Sequence, residues 1–236
     1  MSALEYLKHY AYYYLYAITI TLVLSFLVSA GATEVSGELE LPSSPVLIID
    51  AGHGGMDGGT TSCTGVLEKE LNLQIAVRLN DLFRLLGYET RMTRTTQDSL
   101  ATEGKSIREQ KRSDLNQRVS IVNSAPGGIL ISIHQNYYPQ SQYSGPQVFY
   151  TNEAGDFAAA LQKGLNALTE GHDRACKKAE GIYLMDHITA PGVLIECGFL
   201  SNPAEEANLL RPEYQKKLCA VIAGSAAQYL ESEMVG

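Results

Sequence analysis

The order of apolar and polar positions along the chain predicts alternating strands and helices. Short apolar runs, typical of strands that are buried on both faces, occupy residues 46–50, 129–133 and 193–197. Residues 68–86 instead place apolar side chains on one face of a helix, and Gly87 follows its end. This alternation predicts an α/β fold with a single mostly parallel sheet and helices on both faces.

The same patterns predict the remaining elements. We expect further strands at 88–93, 147–151 and 181–185, and further helices at 114–123, 156–168 and 213–231. The polar segment 100–112 lacks such a pattern, so we interpret it as a surface loop, with a flap facing the substrate as the alternative. Together these elements define a catalytic domain over residues 46–233.

The N-terminal segment is uncharged from residue 10 to residue 33, which is long enough to cross a bilayer. Lys8 precedes this segment, and the small residues at 28–32 resemble signal-peptidase sites. We therefore expect residues 1–33 to be a signal peptide or a membrane anchor, followed by a linker at 34–45. Either form places the following domain outside the cytoplasm.

Charge and cysteine content exclude some classes of protein. The net charge is -8 and no dense Lys/Arg stripe is present, so we expect no nucleic-acid partner. The four cysteines form no CxxC pair, which disfavours a structural zinc knuckle. Cys63 and Cys176 lie in sequence typical of loops and could pair after export, whereas the other two follow apolar patterns.

Reactive side chains cluster at the predicted strand ends and at one helix start. His53 and His134 follow strands, Glu196 lies inside the last buried run, and Glu68 opens the first helix. Two histidines and one carboxylate can form a three-ligand catalytic zinc site, which leaves a second carboxylate to act as a base. The alternative is that His53 and His134 are ordinary loop histidines and that Glu68 only interacts favourably with the positive end of the helix dipole.

Four segments, in order, resemble the motifs of the zinc-dependent N-acetylmuramoyl-L-alanine amidases of the type 3 family. These segments are residues 49–55, 67–73, 132–136 and 194–202. The resemblance implies that Zn²⁺ is bound by His53, Glu68 and His134. It also implies that Glu196 is the catalytic acid/base.

The chain departs from the family pattern at two positions. Ala51 stands where many members have Pro, and Gln135 stands where many have Ala. Neither change removes a reacting group, but Gln135 can alter what the pocket admits. We expect Gln135 and Asn136, which follow the strand at 129–133, to contact the substrate. His187 follows the predicted strand at 181–185 and is a further candidate, with an ordinary surface-loop histidine as the alternative.

Further segments resemble the germination-specific members of spore-forming bacteria, which act in making muramic-δ-lactam. They are residues 106–108, 111–115, 139–143 and 183–187. The resemblance implies hydrolysis of the bond between the lactyl group of N-acetylmuramic acid and L-alanine in the peptidoglycan of spore cortex. The alternatives are an inactive membrane-anchored wall-binding protein and a zinc peptidase that acts on stem peptides.

The sequence also leads to expectations about localisation. We find no appended wall-binding module in the sequence, so we expect an activator or localising protein, or the membrane segment at 10–33, to bring the enzyme to peptidoglycan.

Overall fold

The computed structural model describes residues 16, 18–23, 45–102, 106–169, 171 and 173–235. The chain divides into two units, residues 1–43 and residues 44–236. In the first unit, residues 18–23 are helical, and the rest of the segment at 10–33, apart from residue 16, lies outside the described residues, as do residues 34–44. No helix within the described ranges has the length and apolar character that crossing a membrane requires.

The second unit alternates strands and helices from its first element to its last. Its elements are β1 (Leu47–Ala51), α1 (Glu68–Leu85), β2 (Thr90–Met92), α2 (Ile107–Asn123), β3 (Ile129–Asn136), β4 (Gln147–Thr151), α3 (Gly155–Leu168), β5 (Lys177–Lys178), α4 (Tyr183–His187), β6 (Gly192–Phe199), α5 (Pro203–Leu209) and α6 (Pro212–Val235).

The strands form one six-stranded sheet in the order β2-β1-β3-β6-β4-β5. Every pairing between these strands is parallel except that of β4 with β6, which is antiparallel. The prediction of a single mostly parallel sheet is therefore confirmed. Parallel pairing also brings the carboxyl ends of β1, β3 and β6 to one edge, where polar residues follow the buried strands.

Helices cover both faces of the sheet, as the sequence predicts. Every residue of β1 is buried, and its side chains alternate between two apolar clusters. Leu47 and Ile49 pack in the larger cluster, which includes residues of α1, α3 and α6. Ile48 packs in the smaller one, with residues of α2 and α4.

Two predictions about elements are wrong. Residues 181–185 are not a strand, because Gly181 turns the chain with a positive φ of 71° and the helix α4 begins two residues later. Leu184 and Met185 are the buried residues of that helix. An apolar run as short as this one fits either a strand or a helix.

The segment 100–112 is also not a loop throughout, because α2 already begins at Ile107. Ser106 caps this helix by accepting a hydrogen bond from the backbone N–H of Glu109 at 3.3 Å. The pattern predicted this helix only from residue 114 because residues 107–113 bury no apolar side chain. The short elements β5 and α5 were likewise not predicted.

Candidate active site

The four predicted reactive residues meet at the carboxyl edge of the sheet. His53 lies two residues beyond β1, and His134 and Glu196 are Cα partners on the neighbouring strands β3 and β6. Glu68 is the first residue of α1. The topology therefore brings together side chains that are up to 143 residues apart in the sequence.

His53, Glu68 and His134 form a group that can hold a metal ion. Their ligand atoms all lie within 4.8 Å of one another. One carboxylate oxygen of Glu68 is 3.2 Å from Nε2 of His53, and the other is 3.1 Å from Nδ1 of His134. Two imidazoles and one carboxylate are a donor set that zinc accepts.

Glu68 is fixed by groups other than the histidines. Its Oε1 accepts hydrogen bonds from the backbone N–H of Gln135 at 3.1 Å and from Asn72 at 3.2 Å. Its Oε2 accepts one from the backbone N–H of Thr60 at 3.0 Å. Burial raises the pKa of Glu68, but the hydrogen bonds and charges of the two histidines outweigh burial and hold it well below its usual range.

His53 is held by its backbone and by a carboxylate. Its φ of 61° is in the left-handed region, which is unusual for a residue other than glycine. Its Nδ1 lies 3.0 Å from Asp57, and Asp57 pairs with Lys111 of α2 at 3.0 Å. A carboxylate on one ring nitrogen fixes the orientation of the ring and leaves Nε2 to face Glu68.

The charges around His53 favour a cation at this point. Burial lowers the pKa of His53, but the hydrogen bonds and charges of Asp57 and Glu68 raise it to about 9. Burial raises the pKa of Asp57, but the hydrogen bonds and charges of His53 and Lys111 outweigh burial and hold this pKa well below its usual range. Two carboxylates therefore attract positive charge to the imidazole, whether as a proton or as a metal ion.

Two buried arginines hold the backbone that carries His53. Arg118 donates to the carbonyl of His53 at 2.6 Å and to that of Ala51 at 2.8 Å. Arg94 donates to the carbonyl of Gly52 at 2.9 Å and also to that of Ala51 at 2.8 Å. Both charges are buried, so their hydrogen bonds are needed to offset the cost of desolvation.

Two glycines, Gly52 and Gly59, have no side chain at positions where one would collide with the group formed by His53, Glu68 and His134. A Cβ added at Gly52 would lie 2.3 Å from ring atoms of His134. A Cβ added at Gly59 would lie 2.5 Å from a carboxylate oxygen of Glu68, and the φ of Gly59 is +69°. A side chain at either position would displace one of the group.

Glu196 lacks the hydrogen bonds that hold Glu68. Its Oε2 atom is buried and has no hydrogen-bond partner among the described residues. Burial raises the pKa of Glu196, His134 and His53 lower it, and the charge of Glu68 raises it, with a net result of about 7. A buried carboxylate without donors is typical of a group that handles protons.

A pocket of about 240 Å³ opens beside this group. It lies between the sheet edge and the helices α2 and α4, and its lining includes His53, His134, Lys111 and Tyr183. A cleft of this size next to a metal-binding group is the expected position of a substrate.

The other predicted contact residues lie differently. Gln135 is buried and its amide donates to Asn72 at 3.2 Å, while Asn136 is partly exposed and accepts from the backbone of Tyr137 at 2.8 Å. His187 is exposed and stacks on Tyr183, with ring centroids 3.9 Å apart. The structure thus places Tyr183, rather than these three, in the lining of the pocket.

Sequence reasoning missed Asp57, Arg94 and Arg118, which support His53. Asp57 was detectable as a carboxylate four residues after a candidate ligand. The two arginines act on backbone carbonyls from distant parts of the chain, and no local pattern marks such contacts. The four cysteines are free thiols, so Cys63 and Cys176 are not paired.

Comparisons with known proteins agree on one family. Residues 47–228 match the family model described as N-acetylmuramoyl-L-alanine amidase. The chain is 39% identical to the germination-specific N-acetylmuramoyl-L-alanine amidase of Bacillus subtilis over 191 residues, which cover 79% of this chain and 80% of that protein. It is 29% identical to the amidase LytC of the same species, over 85% of this chain and 38% of LytC.

A solved structure supports the same relationship. The CwlD amidase of Clostridioides difficile, in complex with the GerS lipoprotein, is similar with a TM-score of 0.76 and 33% sequence identity. The similarity covers 80% of this chain and 99% of that chain.

Proposed function

The chain belongs to the N-acetylmuramoyl-L-alanine amidase family, and from this premise we propose that it is a zinc-dependent enzyme of peptidoglycan. It hydrolyses the amide bond between the lactyl group of N-acetylmuramic acid and L-alanine. The observation that carries this proposal is the convergence of His53, Glu68 and His134 within 4.8 Å, beside the carboxylate of Glu196.

The residues present fit a zinc ion. The donors are two imidazoles and one carboxylate, as in catalytic zinc sites that keep one position open. Gly52 and Gly59 leave space that a Cβ would fill, and Asp57 orients the ring of His53. The buried Oε2 of Glu196 lacks a partner among the described residues, as expected of a group that awaits water or substrate.

Zinc held by these three residues would supply Lewis acidity toward the substrate carbonyl and would lower the pKa of a water molecule. Glu196 accepts a proton from the attacking water, whose oxygen forms a bond to the lactyl carbonyl carbon. The carbon–nitrogen bond breaks, and Glu196 returns the proton to the leaving nitrogen of L-alanine. The products are a lactyl carboxylate on the glycan and a free amine on the stem peptide.

Two variants test the separate roles of ligand and proton carrier. His134→Ala removes a donor and is expected to lose stoichiometric zinc after dialysis. Glu196→Gln keeps the shape and all three ligands, so zinc is retained while turnover falls about a hundredfold to ten-thousandfold. Metal content and hydrolysis are measured on the same preparations. Zinc lost from Glu196→Gln, or retained by His134→Ala, contradicts the assignment.

The biological substrate is proposed to be spore cortex, if the source forms spores. The support is the 39% identity to a germination-specific amidase. A deletion strain is then expected to make spores that lack muramic-δ-lactam, and normal levels of this lactam would contradict the cortex assignment while leaving the amidase assignment intact.

We further propose that residues 1–33 act as a signal peptide or membrane anchor and that residues 34–45 link this segment to a catalytic domain at 46–233. The domain then works outside the cytoplasm, where peptidoglycan lies. A reporter that is active only after export, fused after Ser44, is expected to be active, and an inactive fusion would contradict this.

A partner protein that activates or localises the enzyme is also proposed. The support is a structural relative that was solved in complex with a lipoprotein. Full activity of the purified chain on cortex, with nothing added, would contradict an obligatory partner.

A further inference from the structure

A loop of exposed tyrosines follows the strand that carries His134. Every residue from 137 to 143 is exposed, and the exposed fractions of Tyr137, Tyr138 and Tyr143 are 49%, 46% and 44%. The rings of Tyr138 and Tyr143 meet edge to face with centroids 4.7 Å apart. A cluster of half-exposed aromatic rings, unlike a single one, marks a contact surface.

This loop continues directly from the catalytic edge of the sheet. Tyr137 is three residues beyond His134, and Phe199, which contacts Tyr143 at 6.5 Å between ring centroids, is three residues beyond Glu196. Three residues of strand span roughly 10 Å. The tyrosines therefore lie within reach of a polymer whose reacting bond is beside Glu196.

The loop is fixed by hydrogen bonds at both of its ends. The backbone N–H of Tyr138 donates to the hydroxyl of Ser201 at 3.0 Å. Glu205 accepts from the backbone N–H of Gly145 at 2.8 Å and from that of Phe199 at 2.7 Å, so one carboxylate joins the loop to the end of β6. Arg174 donates to the carbonyl of Ser144 at 2.7 Å. A loop whose backbone is held in this way loses little freedom on binding a ligand.

We propose that Tyr137, Tyr138 and Tyr143 form a saccharide platform, which binds sugar rings of the glycan strand next to the muramyl residue that is cleaved. The proposal rests on the function proposed above. A sugar ring presents an apolar C–H face and a polar hydroxyl rim, which match the face and the hydroxyl of a tyrosine. Gln140, Ser141 and Gln142, between Tyr138 and Tyr143 in the sequence, add exposed polar groups to the loop.

The size of the surface favours a saccharide over a protein. A tyrosine buries up to roughly 200 Å², so three half-exposed tyrosines offer roughly 300 Å². A stable protein interface needs about 800 Å² from each partner. The platform is well below that area, and a few sugar rings can cover it.

The first test measures binding without cleavage. The full chain with Glu196→Gln is sedimented with insoluble purified peptidoglycan. Adding Tyr138→Ala and Tyr143→Ala is expected to weaken binding about tenfold, because two aromatic contacts are lost. Tyr138→Phe with Tyr143→Phe keeps the rings and is expected to bind nearly as before. Leu85→Ala, at an exposed position at the far end of α1, serves as the control.

The second test measures the preference of the active enzyme for a polymer. The ratio of kcat/KM on peptidoglycan to kcat/KM on a soluble single muramyl peptide is expected to fall about tenfold in the double Ala variant. An equal loss of kcat/KM on both substrates would overturn the platform. Unchanged binding to peptidoglycan together with an unchanged kcat/KM ratio would also overturn it, and the tyrosines would then be available to a protein partner. If the unaltered chain cleaves neither substrate, the proposed function fails, whereas sedimentation still decides the platform.

Discussion

Gly52 shows at the scale of one residue how the site depends on space as well as on donors. Its missing side chain lets the ring of His134 approach the backbone, because an added Cβ would lie 2.3 Å from that ring. Gly52→Ala is therefore expected to displace His134 and to weaken zinc binding about 10- to 100-fold, the usual effect of disturbing the support of a ligand. Zinc affinity is measured by competition with a chelator.

Gly224→Ala is the matched control for this prediction. Gly224 lies in α6, and an added Cβ there meets no atom within 4 Å. Alanine is expected to stabilise that helix by roughly 0.5–1 kcal/mol and to leave zinc affinity unchanged. Equal zinc affinities in the Gly52 and Gly224 variants would show that His134 does not depend on the space at Gly52.

The proposed reactive residues could be found from the sequence because each lies in or next to a strongly patterned element. His53, His134 and Glu196 stand at or near the ends of apolar strands, and Glu68 begins a long amphipathic helix. The supports of His53 could not be found in this way. Arg118 reaches its backbone from 65 residues away, and only the packing of α2 against the sheet creates that contact.

At the scale of elements, one buried carboxylate joins β1 to its neighbours. Asp50 accepts from Ser132 of β3 at 2.6 Å and from Thr93 at 2.7 Å, and it pairs with Arg118 of α2. Burial raises the pKa of Asp50, but Arg118 and these hydroxyls outweigh burial and lower it from its ordinary value of 3.8 to about 2. The charged form is therefore the one that stabilises the fold.

This shift predicts how stability depends on pH. Because the pKa is lower in the folded state, the contribution of Asp50 to the free energy of unfolding is full above pH 3.8 and is lost as the pH falls through about 2. The loss is roughly 2 kcal/mol. The free energy of unfolding of Asp50→Asn should lack this pH-dependent part. At neutral pH the substitution should lower the free energy of unfolding by about 3 kcal/mol, because Arg118 loses a buried partner.

Urea unfolding between about pH 5 and pH 2, with zinc removed by a chelator, measures this difference. Asp186→Asn changes an exposed aspartate of α4 and is expected to keep the slope of the unaltered chain. Parallel curves for Asp50→Asn and the unaltered chain would contradict the role assigned to Asp50.

At the scale of the whole molecule, the sheet and its main helices were predictable because burial on both faces leaves continuous apolar runs. The pattern failed where polar contacts replace apolar ones. Val122 is the one apolar residue of α2 that is buried, and the helix contacts the end of β1 through Arg118, which pairs with Asp114. The apolar run at 181–185 was too short to show whether it forms a strand or, as in α4, a helix.

Mass spectrometry of peptidoglycan digested by the purified, zinc-loaded chain shows whether this molecule cleaves the muramyl–alanine amide bond. We expect intact stem peptides with a free amino group on L-alanine, and glycan strands that keep the lactyl group. Shortened stems that remain attached to the glycan would indicate a zinc peptidase. Unaltered peptidoglycan in the presence of bound zinc would indicate an inactive wall-binding protein. Either result would contradict the assignment of amidase activity to this chain.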